Sequence, residues 1–401
     1  MSRPAGEPAC EEWDAVVIGA GPAGGLAAHA LAGAGHSVLL VERSHWPRWK
    51  VCGCYLNLNA LDALERAGLG GPGAVGGLAQ RCGARPLHTF QVSTRGRSAR
   101  VPLPGGVALS RARLDAALVE EADARGARFE PGTPATVGRI EGDWRRVHLG
   151  GGSHERTVRA RVVVAAWGLG ARSWEDDTQT EVLPGRGGRP GRRGRIGAGV
   201  ILESSASQLA AGDVHMACGR SGYVGCVRLE DGRLDYGAAL EPEFVRAAGG
   251  LGAAATAILE EAGVTAPEHL ARAAWRGTPA LSRTTTRVAA ERVLLAGDAT
   301  GYVEPFTGEG IAWALGSGLA LAPIASRGIA AWRPELELEW TRAHEQVVRK
   351  RQAACRALAW MLRRPRLVEI AVHALARWPG LAGPLIKNLN AGARVSQPGG
   401  G

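Results

Sequence analysis

Three glycines, Gly19, Gly21 and Gly24, stand between a short apolar run, Ala15 to Ile18, and an Ala/Leu-rich stretch, and Glu42 follows a second apolar run, Ser37 to Val41. In this GxGxxG spacing the first glycine permits a tight turn, the second a close backbone approach to a pyrophosphate, and the third close packing of helix on strand. The uncapped N–H groups and positive dipole end of the helix would face the phosphates. Glu42 lies near the offset of about 20 residues at which a carboxylate accepts hydrogen bonds from ribose hydroxyls. It would also repel a 2′-phosphate, so a nucleotide with a free ribose is expected.

A GxGxxG unit serves NAD and FAD alike, and residues 291–320 separate the two. In ERVLLAGDATGYVEPFTGEGIAWALGSGLALA, Val293 to Ala296 reads as a buried strand, Gly297 and Asp298 end it, and a small-residue helix begins near Gly308. Asp298 can accept hydrogen bonds from a polyol such as ribitol. Gly308 and Gly310 let a helix N-terminus approach an isoalloxazine edge, where N–H groups stabilise negative charge developing on reduction. NAD has no ribitol and needs no second segment, so the two together imply FAD.

The elements that must position these residues fit a chain of 401 residues, long enough for one large or two interlocked domains. With 45% apolar and 21% charged residues it has an ordinary globular composition. The net charge of +10 is in part local, since five arginines fall between Arg186 and Arg195 in a Gly/Pro-rich stretch that reads as a loop. No recognition helix, zinc spacing or aromatic-basic motif accompanies it, so no nucleic-acid partner is expected. Seven cysteines, an odd number without paired zinc spacing, fit reduced thiols in a cytoplasm. No metal site is expected: Cys52-x-Cys54 has no partner pair, and HEQVVRKRQ lacks the second histidine of a zincin helix. The first residues, MSRPAGEPACEEWD, lack the apolar core of a secretory signal, and no run of about 18 apolar residues follows. A cytoplasmic protein is expected, with peripheral membrane contact open.

The chain resembles the FAD-dependent oxidoreductases of the geranylgeranyl reductase and aromatic hydroxylase superfamily, and is most similar to the geranylgeranyl reductase-like branch. The likeness covers about residues 12–325 and rests on GAGPAGG with VER, on RWKVCGCYLN, on LSRARLDAALVEEA and on LLAGDATGYVEPFTGEGIAWAL. It implies FAD contacts at Gly19, Gly21, Gly24, Glu42, Arg43, Cys52, Gly53, Arg111, Gly297, Asp298, Gly308 and Gly310. It sets the Lys50-x-Cys52-Gly53 loop beside the flavin, making Cys52 and Cys54 the candidate catalytic residues, as proton donors or as packing. Hydroxylases of the superfamily usually show an Asp-Gly pair where this chain has VVVAAWGLGARS; Trp167 replaces the acid, while Gly168 and Ser173 remain. The resemblance therefore does not carry direct NADPH use to this chain. The electron donor is open between NAD(P)H and a reductase protein.

The fold class expected is α/β: a discontinuous Rossmann-type FAD-binding domain over residues 12–70, 97–175 and 285–330, with an inserted antiparallel-sheet substrate domain over 71–96 and 176–284. GRIGAGVILE, DVHMACG, GYVGCVRLE and LDYGAAL alternate at near period two and supply that sheet. C-terminal helices are expected over 335–390, with apolar faces suited to packing over a pocket or to a lipid surface. His215, Tyr223, Tyr302 and Glu304 are further candidates to line the pocket. The reaction expected from the closest branch is reduction of a carbon–carbon double bond in an apolar small molecule. Hydroxylation of an aromatic or polyketide substrate by a flavin monooxygenase is the alternative, and a non-catalytic flavin electron carrier a third. The tryptophans do not form the Trp-x-Trp-x-Ile-Pro motif of flavin halogenases.

Overall fold

The protein is described here from a computed structural model covering residues 10–70, 77–150, 155–170, 194–203, 209–285, 287–304, 306–384 and 386. Most of the arginine-rich loop, Ser173, the first nine residues and the C-terminal tail lie outside the described residues.

Strands Glu11–Ile18, Val38–Glu42, Arg128–Pro131, Arg156–Ala165 and Val293–Leu295 form the parallel part of one sheet, with Glu11–Ile18 between Arg156–Ala165 and Val38–Glu42. Val16, Val17, Leu39, Leu40, Val163 and Val164 are all fully buried. Burial on both faces is why these runs are continuously apolar rather than alternating. Helices Pro22–Gly33 and Glu309–Ala330 cover one face together, and Gly318 permits it: a Cβ there would stand 2.3 Å from the Ala23 carbonyl oxygen.

The second sheet runs in the order Arg276–Ala280, Ile196–Leu202, Leu234–Leu240, Gly222–Arg228, Asp213–Gly219, Thr89–Thr94 and Arg97–Pro102. The four strands expected from the alternation are all present, and only the Asp213–Gly219 and Thr89–Thr94 pair is parallel. The domain boundary drawn at residue 97 needs correction. Arg97–Pro102 pairs with Thr89–Thr94 as a hairpin of this sheet, turning at Arg95 and Gly96 with φ of 46° and 73°. Two successive positive-φ residues match the right-handed twist of the flanking strands, so a cut there would split a cooperative unit.

After Glu309–Ala330 the chain forms helix Glu335–His344, a π-helical turn Glu345–Arg349, and helices Lys350–Leu362 and Pro365–Arg377. The last two pack on the second sheet, where Leu362, Val368 and Val372 join Val92, Met216 and Tyr223. A buried ion pair links the parts: Arg195 Nη1 lies 3.1 Å from Glu304 Oε1, and Arg195 Nη2 donates to the Leu362 carbonyl at 3.2 Å. Removing Arg195 leaves Glu304 in the core with the partly exposed Arg363, 3.7 Å from its Oε2, as a distant counter-charge. Arg195→Ala is expected to cost about 3 to 5 kcal/mol, read as a lower urea midpoint, whereas Arg233→Ala in the exposed pair with Asp231 should cost under about 1 kcal/mol.

Candidate functional site

The glycine turn is built as its spacing requires. A Cβ on Gly19, at φ 106°, would stand 2.5 Å from the Ala166 carbonyl oxygen, and one on Gly24 only 1.9 Å from the Gly19 carbonyl oxygen. Gly21 is the N-cap of helix Pro22–Gly33 and makes no side-chain cap. In front of it are two guanidiniums: its Cβ would meet Arg111 Nη2 at 3.5 Å and Arg48 Nη2 at 3.7 Å. An uncapped helix N-terminus flanked by two arginines is an anion site suited to a pyrophosphate.

Those arginines are held by carboxylates. Arg111 opens helix Arg111–Asp123 and reaches Asp115 one turn on, with Nε and Nη2 donating at 2.9 and 2.8 Å. Arg48 lies 3.1 Å from both Asp115 Oδ2 and Glu42 Oε2, and its buried Nε has no hydrogen-bond partner among the described residues. Glu42 also accepts from the Ala20 and Ser44 N–H groups at 3.2 and 3.1 Å. Burial alone would raise its carboxyl, but Arg48 and these donors hold it below the usual range. It is an ionised acceptor at the end of its strand, where a ribose hydroxyl would bind.

Opposite the turn, Gly297 takes φ 60° and its N–H donates to Ser317 Oγ at 2.8 Å. Asp298 follows, with its carboxyl raised by burial against the opposing charges of Lys50 and Arg111. Gly308, at φ 74°, caps helix Glu309–Ala330 without a side-chain bond, and a Cβ there would stand 2.5 Å from the Tyr55 ring. Glu309 Oε1 accepts from Asn57 Nδ2 at 2.6 Å, and burial pushes the Glu309 carboxyl up to about 7.

Between these features lies a cavity of about 340 Å³, lined by Gly21, Lys50, Cys52, Gly53, Cys54, Arg111, Gly297, Asp298, Gly308 and Gly310 at one end. Its far end is apolar, with Val92, Met216, Tyr223, Leu281, Phe306 and Leu362. Lys50 reaches in beside Asp298 and Arg111; burial, then Arg111, lowers its ammonium below the usual range. The Cys54 N–H donates to Cys52 Sγ at 3.4 Å. Hydrogen bonding from Cys54, aided by the Arg111 charge, lowers the Cys52 thiol to about 6, and the Cys54 thiol is raised well above its ordinary value. Alkylation of Cys52 by iodoacetamide, followed by peptide mass, is therefore expected to be half-maximal near pH 6, its thiolate fraction rising with pH through that value.

Not every expected residue joins the cavity. Tyr223 and Tyr302 line it, while Glu304 is buried in the ion pair with Arg195. His215 needs correction as a lining residue, because it sits on the opposite face of the second sheet with Nε2 2.9 Å from Ser93 Oγ, facing a separate polar cavity. Exposed Arg43 has its guanidinium beside Gly170. Trp167 packs with Trp13 against the core of the parallel sheet. Arg48, Asp115 and Glu309 were not singled out from the sequence, although Arg111 and Asp115 stand at the i, i+4 spacing of a helical ion pair.

This set fits FAD: an anion site at Gly21, an ionised acceptor at Glu42, and a second uncapped helix at Gly308 facing the same cavity. Residues 12–185 match the family described as FAD binding domain. Menaquinone reductase of Mycobacterium tuberculosis is 35% identical over 142 residues, 34% of this chain and 33% of that protein. The match thus spans about a third of the curated relative. A flavoprotein/dehydrogenase from Cytophaga hutchinsonii superposes with a TM-score of 0.76 at 18% identity, over 96% of this chain and 94% of that one. The flavin-dependent brominase Bmp2 superposes with 0.71 at 16% identity, over 95% and 94%. At such identities the two structures share the fold. Residues 12–185 therefore form an FAD-binding domain, and the chain shares its fold with these flavin-dependent proteins.

Proposed function

We propose that this chain uses FAD to reduce a carbon–carbon double bond in an apolar, isoprenoid-like molecule. The observation that carries the reading is the cavity itself, which runs from the Gly308 helix N-terminus into a lining of aliphatic and aromatic side chains from the second sheet and the C-terminal helices. The similarity to menaquinone reductase supports it, since menaquinone is an isoprenoid quinone.

In this reading Gly19 and Gly24 shape the turn, the Gly21 helix end with Arg48 and Arg111 holds the pyrophosphate, and Glu42 takes the ribose hydroxyls. Asp298 takes the ribitol, and the N–H groups after Gly308 and Gly310 face the isoalloxazine edge. Arg43, Gly53 and Gly297 frame the same cofactor, and Cys52 stands beside it. When bound and reduced, FAD supplies the hydride. The second sheet excludes water and orients the chain of the substrate. Cys52, a thiolate at neutral pH, has no proton to give, so Cys54 is the thiol that can protonate a substrate carbon.

Product mass tests the reaction. The reduced holoprotein given a prenylated hydroquinone, whose ring can take no further electrons, should return without oxygen a product about 2 Da heavier. A product that forms only with oxygen and gains about 16 Da would make the chain a monooxygenase instead.

A lipid-soluble substrate also needs a route from a membrane. No helix among the described residues is long and apolar enough to cross one. Helix Pro365–Arg377, its preceding helix and the turn after it expose Trp360, Ile370, Trp378 and Leu381, at 55 to 65%, with Arg364 stacked on Trp360 at 3.6 Å and Arg377 beside Trp378. Apolar tips among arginines suit an anionic lipid surface. The protein is expected to float with anionic liposomes and to lose that on Trp360→Ser/Trp378→Ser; a wild type that stays at the bottom of the gradient contradicts it.

A further inference from the structure

Cys52, Gly53 and Cys54 lie directly on the second sheet: a Cβ on Gly237 would stand 3.3 Å from the Cys52 carbonyl oxygen and 3.4 Å from the Gly53 Cα. Two residues earlier on the same strand, and so on the same face, is Asp235. It is 1% exposed, and neither carboxylate oxygen has a conventional hydrogen-bond partner among the described residues. Burial, then the charge on Cys52, holds the Asp235 carboxyl well above the usual range, and the Cys54 thiol is the polar group that interacts with it. Cys54 is one of three residues other than glycine with positive φ among those described, at 49°. That backbone is disfavoured for a side chain with a Cβ. Here it accompanies a second sulfur set between Cys52 and Asp235.

The remaining cysteines differ. Burial raises Cys10 and Cys82 above their ordinary value, Cys218 and Cys226 to about 12 and Cys355 to about 11, which leaves all five weak nucleophiles at neutral pH. Among the described residues, Cys52 and Cys54 line the cavity together, with the buried Asp235 carboxyl interacting with the Cys54 thiol.

We propose that Cys52 and Cys54 form a redox-active dithiol that exchanges two electrons with the flavin, giving the protein a second electron store in the same cavity. The inference rests on the FAD reading above. As the Sγ–Sγ bond forms, the Cys52 thiolate and the Cys54 thiol together give up two electrons and one proton. The oxidised isoalloxazine takes both, becoming its reduced anion, so charge and hydrogen balance. In the reverse direction the reduced flavin returns the pair of electrons and the disulfide reopens, with Asp235 the acid beside the departing Cys54 sulfur. Thiolate attack and a protonated leaving sulfur are what thiol–disulfide chemistry requires. The disulfide form has no Cys54 proton to give, so substrate reduction waits until the pair has been reduced.

The test uses the full chain loaded with FAD, oxidised with diamide, desalted and titrated anaerobically with dithionite while the flavin absorbance is followed. Wild type should take up about four electrons per flavin, and Cys52→Ser and Cys54→Ser about two each. The peptide carrying both residues should lose about 2 Da on diamide treatment and resist alkylation. Uptake of about two electrons by wild type, with both thiols still alkylated after diamide, overturns the inference. The peptide measurement needs no variant, so a misfolded serine mutant leaves it decisive. A chain that binds no FAD fails the cofactor reading instead, and oxidation of the pair in that apoprotein is still read from the peptide.

Discussion

Gly24→Ala is expected to yield protein without bound flavin, because a single added methyl would stand 1.9 Å from the Gly19 carbonyl oxygen and 3.2 Å from the Ala166 side chain. Neither neighbour can give way cheaply. The first is backbone of the same turn, itself pinned with φ 106° against Ala166, and the second follows directly on the central strand Arg156–Ala165. Helix Pro22–Gly33 would have to lift off the sheet, carrying its N-terminal N–H groups away from Arg48 and Arg111. The overpacking alone is worth about 1 to 3 kcal/mol or more. Gly380→Ala, where a Cβ meets nothing within 4 Å, is the control and should keep its flavin. Flavin absorbance per protein after gel filtration reads both.

Asp298→Ala carries the second large effect. In the wild type Asp298 is the carboxylate that faces Lys50 and Arg111. In the reading proposed above its loss removes the acceptor for the ribitol, and it leaves Lys50 beside a guanidinium with one less compensating charge. A hydrogen bond to a charged group contributes about 1.5 to 3 kcal/mol, so FAD affinity should fall by about 10- to 100-fold, measured by fluorescence quenching of added FAD. Asp298→Asn, which retains an acceptor oxygen, should fall less. Equal affinity in all three proteins would remove Asp298 from the cofactor site.

The βαβ unit and the Gly297–Gly310 segment were legible because their signals are local: glycine spacing, continuous apolar runs and a helix opening without a polar cap. The four strands of the second sheet were legible for the same reason, through period-two alternation. What alternation does not reveal is which parity meets the cavity. Met216 and Cys218 face it, so His215 and Ala217 face the other side, and only the assembled sheet decides this. The hairpin Thr89–Pro102 was split because its turn uses Arg95 at positive φ, where Asn or Asp would have been the usual signal. The network of Glu42, Arg48, Asp115 and Arg111, and the setting of Asp235 behind Cys54, join residues far apart in the chain. Such pairings have no period and no spacing to read.

The fate of the electrons on reduced flavin separates a double-bond reductase from a monooxygenase. Dithionite-reduced holoprotein is mixed in a stopped-flow instrument with a prenylated hydroquinone under anaerobic buffer, with oxygenated buffer lacking it, and with both together, and recovery of the oxidised band near about 450 nm is followed. A double-bond reductase gives rapid recovery with the apolar substrate alone, and no hydroperoxide absorbance when oxygen and substrate are present together. Reduced flavin that ignores the substrate until oxygen is admitted, and then passes through a hydroperoxide signal, would contradict that reading.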